Sequence, residues 1–314
     1  MSELLRDQFI REMTDELESS TGLGMKMGDQ WKPVFHMRKT DKRRVERQTF
    51  VWPSVVAATE EGGSLNRLTV KHGFGSYVVP LTYTGEIKVS HEFMRDLRYE
   101  EVKQQAFGLG VAFTRNRYNL AVDTLINGFG SVTSPDGQSL FSNAHILAAN
   151  STYSGTGNSN ILTGAPLTTD AFDTAVAQLM TTVDENGDVF PVPINKLRLI
   201  CVPQNARQAL QIAGSTHEPE NMNNAINIYS GSYGRYEIEV VILPLLYGRA
   251  PSQWAATQWY VQIPEMHGLY FYEREAIQTW TAKDTNSLSV LYQGLDSFGF
   301  LVSDWRWIIG SKGI

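Results

Sequence analysis

The chain has 314 residues, 42% of them hydrophobic and 19% charged, with a formal net charge of −6. That is an ordinary folded composition with ample length for a buried core. It argues against a protein whose main task is gripping nucleic acid, which carries a basic face.

The N-terminal segment "MSELLRDQFIREMTDELESS" is charged throughout and lacks the apolar core of a signal peptide. Leu5, Phe9, Ile10, Met13 and Leu17 recur at helical spacing, which predicts an amphipathic helix ended by "SSTGLGMKMG". A basic run follows: Arg38, Lys39, Lys42, Arg43, Arg44 and Arg47. It reads either as a solvated face or as a docking strip for an acidic patch on another subunit or on nucleic acid.

"RQTFVWPSVVAA" and "NRLTVKHG" are strand-like, and the Glu60-Glu61-Gly62-Gly63-Ser64 tip between them reads as a hairpin turn. Pro53 and the flanking charges predict an exposed ribbon, which is only marginally stable alone and needs something to lie on.

"SYVVPLTYTGEIKVS" predicts another strand region interrupted at Gly85, with Ser90 as the N-cap of the next helix. From Ser90 to about Asn127 one apolar stripe runs without a proline, predicting a single helix of about 55 Å. Gly108 and Gly110 are places where it bends or another backbone approaches; Gly128 and Gly130 close it. Residues 128–166 read as loop.

A compact α/β lobe is expected over 166–264. It has a helix starting at Asp170, the turn "DENGD", the strands "KLRLICV", "RYEIEVVILPLL" and "QWYVQIP", and a short helix opened by Pro203. The tail 265–314 is strand-like, aromatic, and apolar on both faces. No stretch approaches the ~20 apolar residues that cross a membrane. Cys201, the one cysteine, excludes an internal disulfide and a cysteine-rich zinc site. It lies in "LRLICVP" and is expected to be a buried, inert strand residue, which fits a cytoplasmic origin.

Chemistry is sparse. "DGQSLFSNAH", Asp136 to His145, holds the residue types of a nucleophile–base site, with Ser139 or Ser142 beside His145 as a hydrolase reading. The residues are too close in sequence to form a triad without a scaffold aiming them, and no Gly-x-Ser-x-Gly elbow is present. A polar turn anchored by Phe141 is the competing reading. "DENGD" lacks the glycine and closing glutamate of a calcium loop. Histidines 36, 72, 91, 145, 217 and 267 show no metal-ligand spacing. "GFGSY" and "GLG" lack the lysine and the strand–loop–helix context of a phosphate cradle. No catalytic residue, metal or cofactor is expected.

The order of parts resembles the major capsid (head) proteins of tailed bacteriophages, particularly the Mu-like major head subunits. "GEIKVSHEFMRDL" looks like that family's strand entering its spine helix, and "DGQSLFSNAH" like the segment after the helix. "LRLICVPQNARQALQI" looks like the strand–proline–helix of its axial lobe, with "YEIEVVILPLL" and "QWYVQIP" as the strands that follow. The resemblance implies an α+β fold of the Hong Kong ninety-seven type. Its parts would be an N-terminal arm (1–30), an extended ribbon loop (31–84), a peripheral domain with the spine helix (85–165), an axial domain (166–264) and return strands of the peripheral domain (265–314).

It also implies a virion protein, assembled in the host cytoplasm, that self-associates as hexamers and pentamers around DNA without reading its sequence. A scaffolding protein, a portal and a decoration protein are further implied partners. A separate scaffolding protein, or a segment already removed, is expected because the arm begins almost at Met1. Subunit-contact candidates are Leu5, Phe9 and Met13 of the arm, Arg43 and Arg44 of the basic run, and Phe50, Trp52, Glu60 and Glu61 of the ribbon. An encapsulin-like shell around an enzyme is the alternative with the same fold.

Overall fold

In the computed structural model, residues 1, 52, 54, 55, 57, 60–63, 66, 69, 97, 98, 153–155, 191–193, 218–225, 230–235, 252–255, 285 and 314 lie outside the description; all others are described.

The chain opens with α1 (Ser2–Met25). The helix ends at Met25, inside the predicted segment "SSTGLGMKMG", after running through Ser19, Ser20 and Gly22. Gly24 packs against the spine. A Cβ there would strike the Phe107 carbonyl of the spine helix, and a Cβ on Gly110 would strike the Thr21 carbonyl. The two glycines let two backbones touch, at a conformational cost offset by close packing. Thr21 Oγ1 seals the contact, donating to Leu17 O (2.8 Å) and lying 2.9 Å from the Tyr292 hydroxyl.

After a 3-10 turn at Asp29–Val34 come β1 (His36–Lys39), β2 (Val45–Val51), β3 (Lys71–Val78) and β4 (Leu81–Val89). β2 and β3 pair only with each other, antiparallel, from Val45↔Val78 to Val51↔Lys71. The sequence predicts a ribbon, but with strands over 47–58 and 66–73. The observed ones lie nearer the body, and the second takes in residues 76–78, which the sequence assigns to the next strand region. Residues 60–63 of the predicted hairpin tip lie outside the described residues.

Ser90 caps the next helix, accepting from the Phe93 N–H. The single long helix expected here is two: α2 (His91–Arg95) and the spine α3 (Tyr99–Ile126). Nothing in the sequence breaks the pattern; α2 stops at Asp96 and a second start is made at Tyr99. The spine's 28 residues span about 42 Å.

The excursion 127–168 holds only short elements, including β5 (Ile161–Leu162). Then follow α4 (Thr169–Met180), capped by Thr168 rather than opened at Asp170, β6 (Lys196–Cys201), α5 (Ala206–Gly214) and β7 (Glu237–Ile242). α6 (Pro244–Arg249), β8 (Trp259–Gln262), β9 (Leu269–Lys283), β10 (Val290–Val302) and β11 (Ile308–Ser311) complete the chain. Cys201 is fully buried, and burial pushes its thiol up to about 12.

Two sheets result. One has the order β1-β9-β10-β4, the other β5-β11-β8-β6-β7. The spine lies on the first. Gly85 and Gly294 face each other across β4 and β10, and the Phe113 ring fills the notch they leave. A Cβ on Gly294 would sit 2.6 Å from that ring.

The tail departs from expectation. "SLSVLYQGLDSFGFLVSDWRWIIG" is not one run of return strands. It breaks after Val302, and β11 crosses into the second sheet between β5 and β8. The crossing passes through Trp307, held at φ 67°, the one described non-glycine residue in that region. One apolar cluster spans both sheets, joining Phe271 and Phe298 of the first to Ile200, Tyr260 and Ile308 of the second.

Candidate functional site

The polar segment at Asp136–His145 resolves first. Asp136 Oδ2 meets His145 Nδ1 at 2.7 Å and accepts from the Ile146 N–H at 3.0 Å. Its other oxygen accepts from the Ser134 hydroxyl and from the Gln138 N–H. His145 Nε2 meets Asn160 Oδ1 at 3.0 Å. The Asn160 amide is oriented by two carbonyls, since its Nδ2 donates to Leu140 O (2.7 Å) and Trp305 O (3.0 Å).

Both ring nitrogens of His145 therefore face acceptors, and the ring stacks on Trp305 at 4.1 Å. The imidazole is 2% exposed. Burial works to raise the Asp136 carboxyl, but the bonds from His145 and Ser134 outweigh it and hold it below the usual carboxylate range. Ser139 and Ser142 do not reach the ring; their hydroxyls bond the Gly130 carbonyl and the Ala144 N–H. A general base needs a free nitrogen aimed at a nucleophile. Here that nitrogen is occupied, so the arrangement ties a loop instead of activating a serine. In "DENGD" the Asp184 carboxylate is likewise spent on the N–H groups of Asn186, Gly187 and Asp188.

Two further buried polar centres join distant parts of the chain. Arg117 of the spine makes a two-pronged contact with Asp296 (2.8 and 2.6 Å) and reaches Glu273 at 2.9 Å. Arg306 bonds Asp304 (3.0 Å), Glu185 (3.2 Å) and the Val183 carbonyl (2.8 Å). None was visible in the sequence, because the Arg117 partners are 156 and 179 positions away.

The ribbon is the feature that the fold leaves open. Its base is clamped by Arg47, whose Nε donates to the Tyr272 hydroxyl (2.7 Å) while the guanidinium lies 3.8 Å over the Tyr270 ring. Tyr77 at the base and Phe50, Leu65, Leu68 and Val70 beyond it are exposed, Leu65 at 92%. A cavity of about 330 Å³ lies between the ribbon and the body, lined by Arg47–Phe50, Met266–Gly268, Ser303, Asp304, Arg306 and Trp307 among others.

The contact candidates separate into three groups. Phe9 and Met13 are 2% and 3% exposed and pack on the chain's own spine with Leu109, Phe113 and Tyr292, so the apolar face expected to meet a neighbour is already covered. Arg43, Arg44 and Phe50 are exposed. Arg44 pairs with Glu46 (2.8 Å) and lies 3.8 Å over Tyr77. The side chain of Leu5, and Trp52, Glu60 and Glu61, lie outside the described residues. Among the described residues no group of three metal-ligating side chains converges, and no helix is long and apolar enough to cross a membrane.

Comparison with known proteins bears on the fold and the family. No curated protein sequence matches. Solved structures do. The virus-like particle from Pyrococcus furiosus aligns over 95% of this chain and 98% of its own, at 9% identity and a TM-score of 0.54. The capsid of an empty GTA particle aligns over 90% and 88%, at 13% identity and 0.55. The mature capsid of bacteriophage PhiM1 aligns over 88% and 84%, at 12% identity and 0.53. At such identities the likeness establishes the α+β capsid fold. The family comparison is with phage capsid proteins at large and does not single out Mu-like subunits. The model described as "Phage capsid protein" matches residues 76–310, from the ribbon's second strand through β11, and the chain belongs to that family.

Proposed function

We propose that this chain is the major head subunit of a tailed phage. In this reading it self-assembles as hexamers and pentamers into an icosahedral shell enclosing double-stranded DNA. The observation that carries the reading is the ribbon. Among the described residues it pairs with no other strand of its own chain, and it exposes Leu65, Leu68, Val70 and Tyr77. A two-stranded ribbon of this kind is marginal in water and gains stability by lying on a neighbour. Its partners are then copies of itself, with scaffolding, portal and decoration proteins as further contacts. The subunit is structural, is built in the host cytoplasm and resides in the virion. The enclosed DNA is met without sequence readout, in keeping with the net charge of −6.

Electron microscopy of the expressed protein tests this. Closed shells are expected; a protein that stays monomeric by sedimentation at every concentration overturns it. The likeness to a virus-like particle supports a second reading, a shell that holds no phage genome. Nuclease-protected DNA in particles from infected cells selects the phage head, and protected protein cargo without DNA selects the other.

A further inference from the structure

Two charged surfaces of the chain lack partners, and they lie far apart. The first is the turn between β1 and β2. Arg38, Lys39, Lys42 and Arg43 are all exposed there, outnumbering the single acid Asp41, and none of the four forms an ion pair among the described residues. The second is the outer face of α1. With Phe9, Met13 and Leu17 buried against the spine, the opposite face presents Asp15 and Glu18 with Arg11 between them and Glu12 beside them, then exposed Leu23; Glu16 lies at the edge towards the spine. Glu16 is shared with Lys103, whereas Asp15 and Glu18 have no basic partner among the described residues.

The strand β9 measures the distance between them. Lys39 pairs in register with Glu273, and the Thr40 N–H donates to Glu273 O. Thr14 of α1 touches Thr281 at 3.3 Å, and Asp7 pairs with Lys283 at 2.5 Å. Eight positions of extended strand separate Glu273 from Thr281, about 26 Å. That is roughly three times the screening length of ~8 Å at physiological salt. The two surfaces cannot pair within one chain. Their apolar surroundings match as well: Met37 is exposed beside the basic turn, and Leu23 and Met27 beside the acidic face.

We propose that the outer face of α1 receives the basic turn 38–43 of a second copy of this chain. The surfaces differ, so the contact is head-to-tail: each subunit gives its turn to one neighbour and its helix to another. Such contacts generate rings when the rotation closes. The proposal rests on the shell reading and names the faces that meet in it.

The test is a charge swap. Lys42→Glu with Arg43→Glu, and separately Asp15→Lys with Glu18→Lys, each place like charges across the contact. Each double variant is expected to raise the protein concentration needed for half-assembly by roughly tenfold or more. All four changes in one chain restore opposite signs between the exchanged positions, and assembly is expected to return part of the way towards the unchanged protein. All positions are exposed, so thermal unfolding of the unassembled subunit should stay within a few degrees. If a variant does unfold, Lys42→Ala with Arg43→Ala is compared instead, and assembly is expected to lose most of its dependence on salt. Charge-reversed chains that assemble like the unchanged protein, or a fourfold variant worse than both doubles, overturn the contact while leaving the shell reading intact. An unchanged protein that never assembles overturns the shell reading itself.

Discussion

Asp136 shows how a residue acquires meaning only from its three-dimensional neighbours. In the sequence it stands near two serines and a histidine; in the fold it holds His145, Ser134 and the Ile146 N–H at once. Its folded carboxyl lies below the ordinary range, so the stability it contributes is complete above the unfolded value near ~3.9 and is lost as the pH falls through the folded one. Asp136→Asn should cost about 1–3 kcal/mol at pH 7, because it leaves buried donors that met the carboxylate without a full partner. The cost should shrink as both proteins are taken below pH 3. Urea unfolding at the two pH values checks this, and an equal loss at both would contradict the ionic reading. The sequence made a turn legible here, through Asp136-Gly137 and Phe141. The knot itself was not legible, because Asn160 and Trp305 complete it from 24 and 169 positions beyond Asp136. The same reason hid Arg117 with Asp296, and Arg306 with Glu185: buried ion pairs leave no periodic trace.

At the scale of elements, periodicity served well where an apolar face meets another element of the same chain. α1, β4, α4 and β6 lie where their patterns place them. It said less at glycines. Gly22 and Gly24 lie in the segment that ends α1, and Gly24 and Gly110 are also where α1 and the spine touch backbone to backbone. Gly110→Val should push the helices apart at a cost of about 1–3 kcal/mol, as overpacking does. Faster amide exchange along residues 2–25 is the expected signature; unchanged protection there would show that the contact tolerates a side chain. Phe9→Ala, on the same helix, should cost about 3–5 kcal/mol from the cavity it leaves. That loss should be measured in thermal unfolding of the unassembled subunit. The apolar stripe of α1 could be read from the sequence, but what covers it could not. The stripe suits a neighbour as well as it suits the spine.

For the whole molecule, the division at residues 166 and 264 is a division of the chain more than of its core. The second sheet needs β11 from the far C-terminus, and one apolar cluster joins both sheets. The unassembled subunit is therefore expected to unfold in a single transition, with calorimetric and van't Hoff enthalpies in agreement. Two resolved endotherms would show the lobes to be independent. A fragment of residues 166–264 alone lacks the strand that pairs with β8 and should not fold, which circular dichroism of that fragment would test.

The ribbon's attachment has a mechanical consequence. Its first strand leaves the body after β1, which is paired to β9; its second returns at Val78 and Pro80, packed over Gly299 of β10. β9 and β10 are themselves bonded to each other along the length of the sheet. Tension on the ribbon from a neighbour is thus divided between two strands that already hold one another. The Arg47 clamp on Tyr272 adds a third point of purchase on β9. A pull that would peel a single edge strand is converted into shear across a whole hairpin, where many hydrogen bonds must yield together. The subunit can be tugged by its loop without unravelling from it.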